Sequence, residues 1–190
     1  MKKILLSLLA LLFCLTLYGK KKYLPMAVVA GMADLIVEGH ISEVKSKTYI
    51  LSVDQYLKGK SKASIKVEMF KEWVCDQRMK AVEKKDKVIL FLIKRGSKYR
   101  VINGSTGEKF VYEGQVSWPF LEEPVSLEDF KRAIVNFTSA YEFVRKRYYV
   151  YKSHKNKFRQ LRPFPEIVRM GEEDELTLLL LKETEYYDVV

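Results

Sequence analysis

Two histidines, two cysteines and a few acid pairs are the residues through which this chain could do side-chain chemistry, and they are poorly spaced for it. His40 falls on a predicted strand and His154 in a basic tract, and neither belongs to a close-spaced group of metal ligands. A zinc site needs three or four convergent Cys, His or carboxylate ligands. Cys75 could act as a nucleophile only with a histidine brought from across the fold, and His40 is the one candidate for that role. No G-x-S-x-G, P-loop or dinucleotide G-x-G-x-x-G occurs. The nearest glycine pattern, Gly104–Ser105–Thr106–Gly107, lies between predicted strands and lacks the helix N-terminus that would bind phosphate. Glu122–Glu123 and Glu172–Glu173 resemble paired acids in composition only, because adjacent glutamates in linkers and at helix starts read as solvated charge. No catalytic residue, metal or cofactor is implied.

The basic tract from Arg145 to Arg162 is the strongest charge feature. It holds Arg145, Lys146, Arg147, Lys152, Lys155, Lys157, Arg159 and Arg162, with no acid between Glu142 and Glu166. Tyr148, Tyr149, Tyr151 and Phe158 interleave with these cations, a mixture suited to an anionic partner. Two readings stand. The tract could meet an outside anionic surface of lipid headgroups or envelope polysaccharide. It could instead face the chain's own acidic terminus, where Glu172, Glu173, Asp174, Glu175, Glu183, Glu185 and Asp188 stand against Lys182 alone.

The N-terminus bears on that choice. Lys2 and Lys3 precede an apolar run from Ile4 to Leu17, which closes at Tyr18–Gly19 before Lys20–Lys21–Lys22. A charged start, a short apolar run and a small residue at the exit make a secretory signal, here cut after Gly19. The run is too short for a spanning helix, which needs about 20 apolar residues. Phe13 before Cys14 and Leu15 after it argue against a lipid-anchored cysteine, so Cys14 reads as one more small apolar residue of the signal. Export, to the periplasm or beyond, argues against nucleic acid as a partner and leaves protein or an envelope component, with peripheral membrane association open. Removing 1–19 takes away Lys2 and Lys3 and no acid, so the formal +10 of the whole chain stays strongly positive. It also leaves Cys75 as the one cysteine, so no disulfide can staple the fold.

Of the 190 residues, those after the signal divide into 20–118, rich in alternation, and 119–190, helical. Pro25 opens a short helix over Met26 to Ala33, which Gly31 weakens. Leu35, Val37, Gly39 and Ile41 alternate with Glu38, His40 and Ser42, as do Tyr49, Leu51 and Val53 with Ser52 and Asp54. Ile65, Val67 and Met69 give a third strand, and Val88 to Ile93 is apolar on both faces, hence central. Residues 71–86, with Trp73 and Cys75, are irregular. Phe110, Tyr112 and Val116 predict one last strand. Five or six short strands between 35 and 117 predict a small OB-like barrel within an α+β fold. Ser126 is an N-cap for a helix whose apolar seam runs through Leu127, Phe130, Ile134, Phe137, Tyr141, Val144, Tyr148 and Tyr151, about seven turns. Pro163–Phe164–Pro165 forbids helix, and a terminal helix follows from Glu172.

Ala33–Asp34–Leu35–Ile36–Val37–Glu38–Gly39, Leu57–Lys58–Gly59 and Leu90–Phe91–Leu92, with the Gly104–Phe110 turn, resemble secreted OB-fold proteins related to tissue inhibitors of metalloproteinases and netrin modules. The resemblance covers residues 33–116 and implies the barrel. Animal inhibitors of that family hold the target's zinc through an N-terminal cysteine, which the region after Gly19 lacks. The reading is therefore a non-catalytic binding module. A cell-envelope hydrolase, or a protease inhibitor acting through another edge, are the alternatives.

Overall fold

A computed structural model describes residues 21, 23–118, 121–144, 157–185 and 188–189. Among these, β1 (Leu35–Val44), β2 (Thr48–Lys58), β3 (Ser64–Glu68), β4 (Lys87–Arg95) and β5 (Lys98–Val101) form a closed mixed barrel. The order is β1-β2-β3-β5-β4, with β4 pairing back onto β1 and β3 running parallel to β5. β6 (Glu108–Tyr112) extends the sheet from β4, and short strands β7 (Gln115–Val116) and β8 (Val125–Ser126) continue it. This is the expected OB-like barrel with helices packed on it. Leu35, Val37, Tyr49, Leu51, Ile65, Val67, Leu90 and Leu92 fill its interior.

β1 departs from simple alternation. Leu35 to Gly39 are buried on both faces, because helices cover the outer side. Glu38, expected outside, is buried between Lys87 (2.7 Å) and Lys131 (3.0 Å). Burial alone would raise its carboxyl; the bonds from these two ammonium groups outweigh that and hold its pKa below the ordinary carboxylate range. Gly39 is required here, since a Cβ would lie 2.2 Å from the Ser52 carbonyl oxygen.

The covering layer begins with α1 (Met26–Met32), too short to persist alone. Both its ends are held from outside. The Ala27 N–H donates to Glu183 (2.7 Å), and the Lys58 ammonium donates to the carbonyls of Ala30 and Gly31. α2 (Leu127–Ala140) starts as expected, with Ser126 Oγ accepting from the Asp129 N–H. Leu127, Phe130, Ile134 and Phe137 form its buried seam. The helix is half the predicted length. Thr138 and Ser139 return their hydroxyls to the carbonyls of Ile134 and Asn136, and the chain then extends into β9 (Tyr141–Val144). Tyr141 and Phe143 now alternate inward, where the 3–4 spacing had placed them on a helix. β9 pairs with β10 (Lys157–Gln160), which also pairs in parallel with β11 (Asp188–Val189). Phe158 packs edge-on against Phe137, Tyr141 and Phe143. A Cβ on Gly31 would come 2.8 Å from Phe143, so this glycine admits the aromatic cluster against α1.

The proline-rich stretch also differs from expectation. Pro163 precedes α3 (Phe164–Glu173) and Pro165 sits in its first turn, where the missing N–H costs nothing. Asp174 ends α3 and caps α4 (Glu175–Thr184), accepting from the N–H groups of Leu176 and Thr177. No helix among the described residues is long and apolar enough to cross a membrane.

Candidate binding site

Between β3 and β4 the chain crosses one end of the barrel without regular structure, yet it is held more firmly than its lack of strands suggests. Arg78 is the first anchor. Its Nε donates to Glu108 (2.6 Å), Nη1 donates to Glu72 (2.6 Å), and the guanidinium lies 3.8 Å from the Phe70 ring centroid. The other Glu108 oxygen accepts from the Tyr49 hydroxyl at 2.9 Å inside the barrel. Burial pushes the Glu108 carboxyl up, with Arg78 opposing it.

Asp76 is the second anchor, and here the glycine pattern acquires a role. Asn103 and Gly104 adopt positive φ and lead into a 3₁₀ turn over Gly104–Thr106. Asp76 lies against that turn, accepting from the Ser105 N–H (3.0 Å), and a Cβ on Gly104 would be 1.9 Å from a carboxylate oxygen. The Lys21 ammonium closes the socket, with Asp76 at 2.8 Å, Ser105 Oγ at 2.9 Å and Thr106 Oγ1 at 3.2 Å. Burial would raise the Asp76 pKa; the bonds from Lys21 and Ser105 outweigh it and hold the carboxyl below its ordinary value. The Gly104–Gly107 loop thus does cradle an anion, the chain's own. Breaking a buried pair by removing one partner costs about 3–5 kcal/mol, so both anchors resist release.

What they hold outward is apolar. Trp73 and Asp76 exchange backbone hydrogen bonds across a tight turn. Val74 at its tip is 88% exposed, Met79 79% and Trp73 41%. Tyr23, also exposed, places its hydroxyl 3.5 Å from the Cys75 carbonyl. Cys75 itself is half-buried. Large apolar side chains exposed along one anchored loop are the feature of this end that suits an interaction surface.

The residues singled out by sequence are placed as follows. Arg145, Lys146, Arg147, Lys152 and Lys155, with His154, Tyr148, Tyr149 and Tyr151, lie outside the described residues, as does Cys14. Lys157 opens β10. Arg159 pairs with Glu142 across β9–β10, and Arg162 with Glu166 at 3.4 Å, whereas the backbone of Lys157 stands in register with Asp188 of the acidic stretch, in the parallel β10–β11 pair. His40 is exposed, its Nδ1 2.6 Å from Asp54. Glu122, Glu123 and Glu173 line one cleft of 610 Å³ beside α2 and α4. There Arg132 bridges Asp129 (2.6 Å) and Asp174 (3.2 Å), which commits those acids to the helix ends. Among the described residues no group of three His, Cys, Asp or Glu side chains could hold a metal ion. Lys21, Asp76 and Arg78 were not legible as a set because their partners, Glu72 apart, are 29 to 85 residues away in sequence.

The fold and this loop define a mixed β-barrel with a helical layer over one face and an apolar loop tip at one end. No protein-family model matches the chain, and no curated protein matches it.

Proposed function

We propose that the chain is an exported, non-catalytic binding module whose partner, a protein or other envelope component, docks on the Trp73–Met79 loop. The observation that carries this is the pairing of two buried ionic anchors with an exposed Trp73–Val74 tip, an arrangement that stabilises presentation of apolar surface. Export rests on the signal-like residues 1–19; Lys21, two residues past the predicted bond, already belongs to the fold, which supports that boundary. The netrin-like resemblance belongs to the same proposal and rests on the sequence motifs of residues 33–116 alone. Inhibition through an N-terminal cysteine is no part of the proposal.

The test is site-specific cross-linking in exporting cells. A photo-reactive residue at Val74 should give a discrete adduct, and the same residue at exposed Val168 on α3 should not. Val74→Asp should remove binding and leave the thermal midpoint unchanged. Equal adducts from both positions, or none from Val74, would sink the assignment. N-terminal sequencing of the recovered protein should begin near Lys20.

A further inference from the structure

At the barrel end opposite the Trp73 loop, the β2–β3 connection and the β4–β5 turn face each other across a cleft of 450 Å³. The antiparallel pairing of β1 with β2 and β4 puts both connections at this end, because Lys58 stands beside Ile36 and Leu92 beside Leu35. We propose that this mouth binds a phosphate group carried on a small organic ligand.

Three lysines, Lys62, Lys66 and Lys94, line the cleft, and no acid does. None of the three has a carboxylate partner among the described residues. Asp34, the acid nearest in the chain's hydrogen bonding, accepts from the Lys94 backbone N–H (2.8 Å) and is not part of the lining. Several other cations of this fold do have acidic partners: Lys21 has Asp76, Arg78 has Glu108 and Glu72, Lys131 has Glu38, and Arg132 has Asp129 and Asp174. Three like charges left around one concavity repel each other, and a bound anion relieves that repulsion.

The rest of the lining suits an oxyanion on an organic body. Ser61, Ser64, Ser97 and Tyr99 bring hydroxyl groups to its lining, and Ile50 and Ile65 add apolar surface. Lysine is a compact charge suited to phosphate, and the cleft is several times larger than phosphate alone, within the usual range for small-molecule sites at barrel mouths. It is also braced. The Tyr56 hydroxyl donates to the Lys62 carbonyl (2.7 Å), Ser61 and Tyr99 share a hydrogen bond (2.9 Å), and the Val53 N–H donates to Ala63 (2.8 Å). On the facing side Gly96, at φ +59°, opens the two-residue β4–β5 loop in the manner of a type II′ turn. Both rims are therefore fixed before a ligand arrives. Lying at the other end of the barrel, this site stands or falls independently of the Trp73 loop.

The test uses the full exported chain at low ionic strength with inorganic pyrophosphate as probe, followed by calorimetry and by amide chemical shifts. Pyrophosphate should shift the amides of residues 61–66 and 94–99. Lys62→Gln, Lys66→Gln and Lys94→Gln, all at exposed positions, should each weaken binding about tenfold, while Lys84→Gln, an equal loss of charge elsewhere, should not. A second arm offers vesicles of phosphatidylglycerol with phosphatidylcholine. Vesicle binding that the three substitutions abolish and pyrophosphate displaces identifies a lipid headgroup as the source. Pyrophosphate binding without vesicle binding identifies a free phosphate ligand. Absence of binding in both arms overturns the proposal, and so does a loss that follows net charge, with Lys84→Gln as damaging as the other three.

Discussion

Neighbouring residues on β6 meet opposite fates, and the difference can be measured. Glu108 points into the barrel and finds Arg78 and Tyr49; Lys109 points to the helical side, is 8% exposed, and has no such partner among the described residues. Burial, with the Lys21 charge adding to it, pushes the Lys109 pKa from 10.5 down to about 8. The sign follows from proton counting: between pH 8 and 10.5 the unfolded chain binds more protons at this residue than the folded one, so stability rises with pH across that window. Below it the charged lysine costs the fold on the order of 3 kcal/mol at 1.36 kcal/mol per unit. Lys109→Met, which keeps the stem and drops the charge, should therefore stabilise the protein at pH 7. The gain should shrink progressively as pH rises through 8 to 10.5. Urea denaturation of both proteins at a series of pH values reads the difference directly, and a pH-independent gain would show that packing, not charge, is responsible.

At the scale of elements, the β6–β7 hairpin carries local strain that a substitution can relieve. Tyr112 pairs with Gln115, and the two residues between them, Glu113 and Gly114, have φ of 50° and 76°, the pattern of a type I′ turn. Glutamate is a poor occupant of that first position, and left-handed backbone costs an ordinary residue about 1–2 kcal/mol. Glu113→Asn should stabilise by about 1 kcal/mol, read as a higher denaturant midpoint with unchanged slope. This turn also shows what the sequence conceals. Phe110, Tyr112 and Val116 keep their alternation, so the segment looks like one strand, and Glu113–Gly114 is weaker turn chemistry than Asn-Gly. The barrel strands were legible because burial of one or both faces imposes a period. The end of α2 was not, because Tyr141 and Val144 satisfy a helical seam as well as Tyr141 and Phe143 satisfy a strand, and only Phe158 of β10 decides between them. Pro163 and Pro165 were read as breakers when they are a helix start, since a proline's meaning depends on which turn it occupies. The anchors of the Trp73 loop were illegible for a different reason: ion pairs between distant residues leave no period at all.

At the scale of the whole molecule, the described residues pack into two cores, and the barrel shares one of them. Its interior is closed by its own strands, but its outer face is not: Ile36, Ile89 and Phe91 point away from the interior, into a second cluster with α1, α2, Trp118, Phe158 and Leu180. Phe130 of α2 sits at the junction, edge-on to both Phe91 (6.3 Å) and Trp118 (5.3 Å). Burying a side chain of this size fully contributes about 1.5–3 kcal/mol, and total stabilities are only about 5–15 kcal/mol. Stripping the helices from this face therefore removes more than a small barrel can spare. α1 would lose its Glu183 cap at the same time. A chain limited to residues 20–118 should show no cooperative thermal transition and should bind hydrophobic dyes. The chain from residue 20 to its C-terminus should unfold in one step, with the near-ultraviolet signal of Trp118 and the far-ultraviolet signal of the helices coinciding. A sharp independent melt of the 20–118 chain would show instead that the strand-lined interior alone sustains the barrel, making the helices an attachment to an already stable fold.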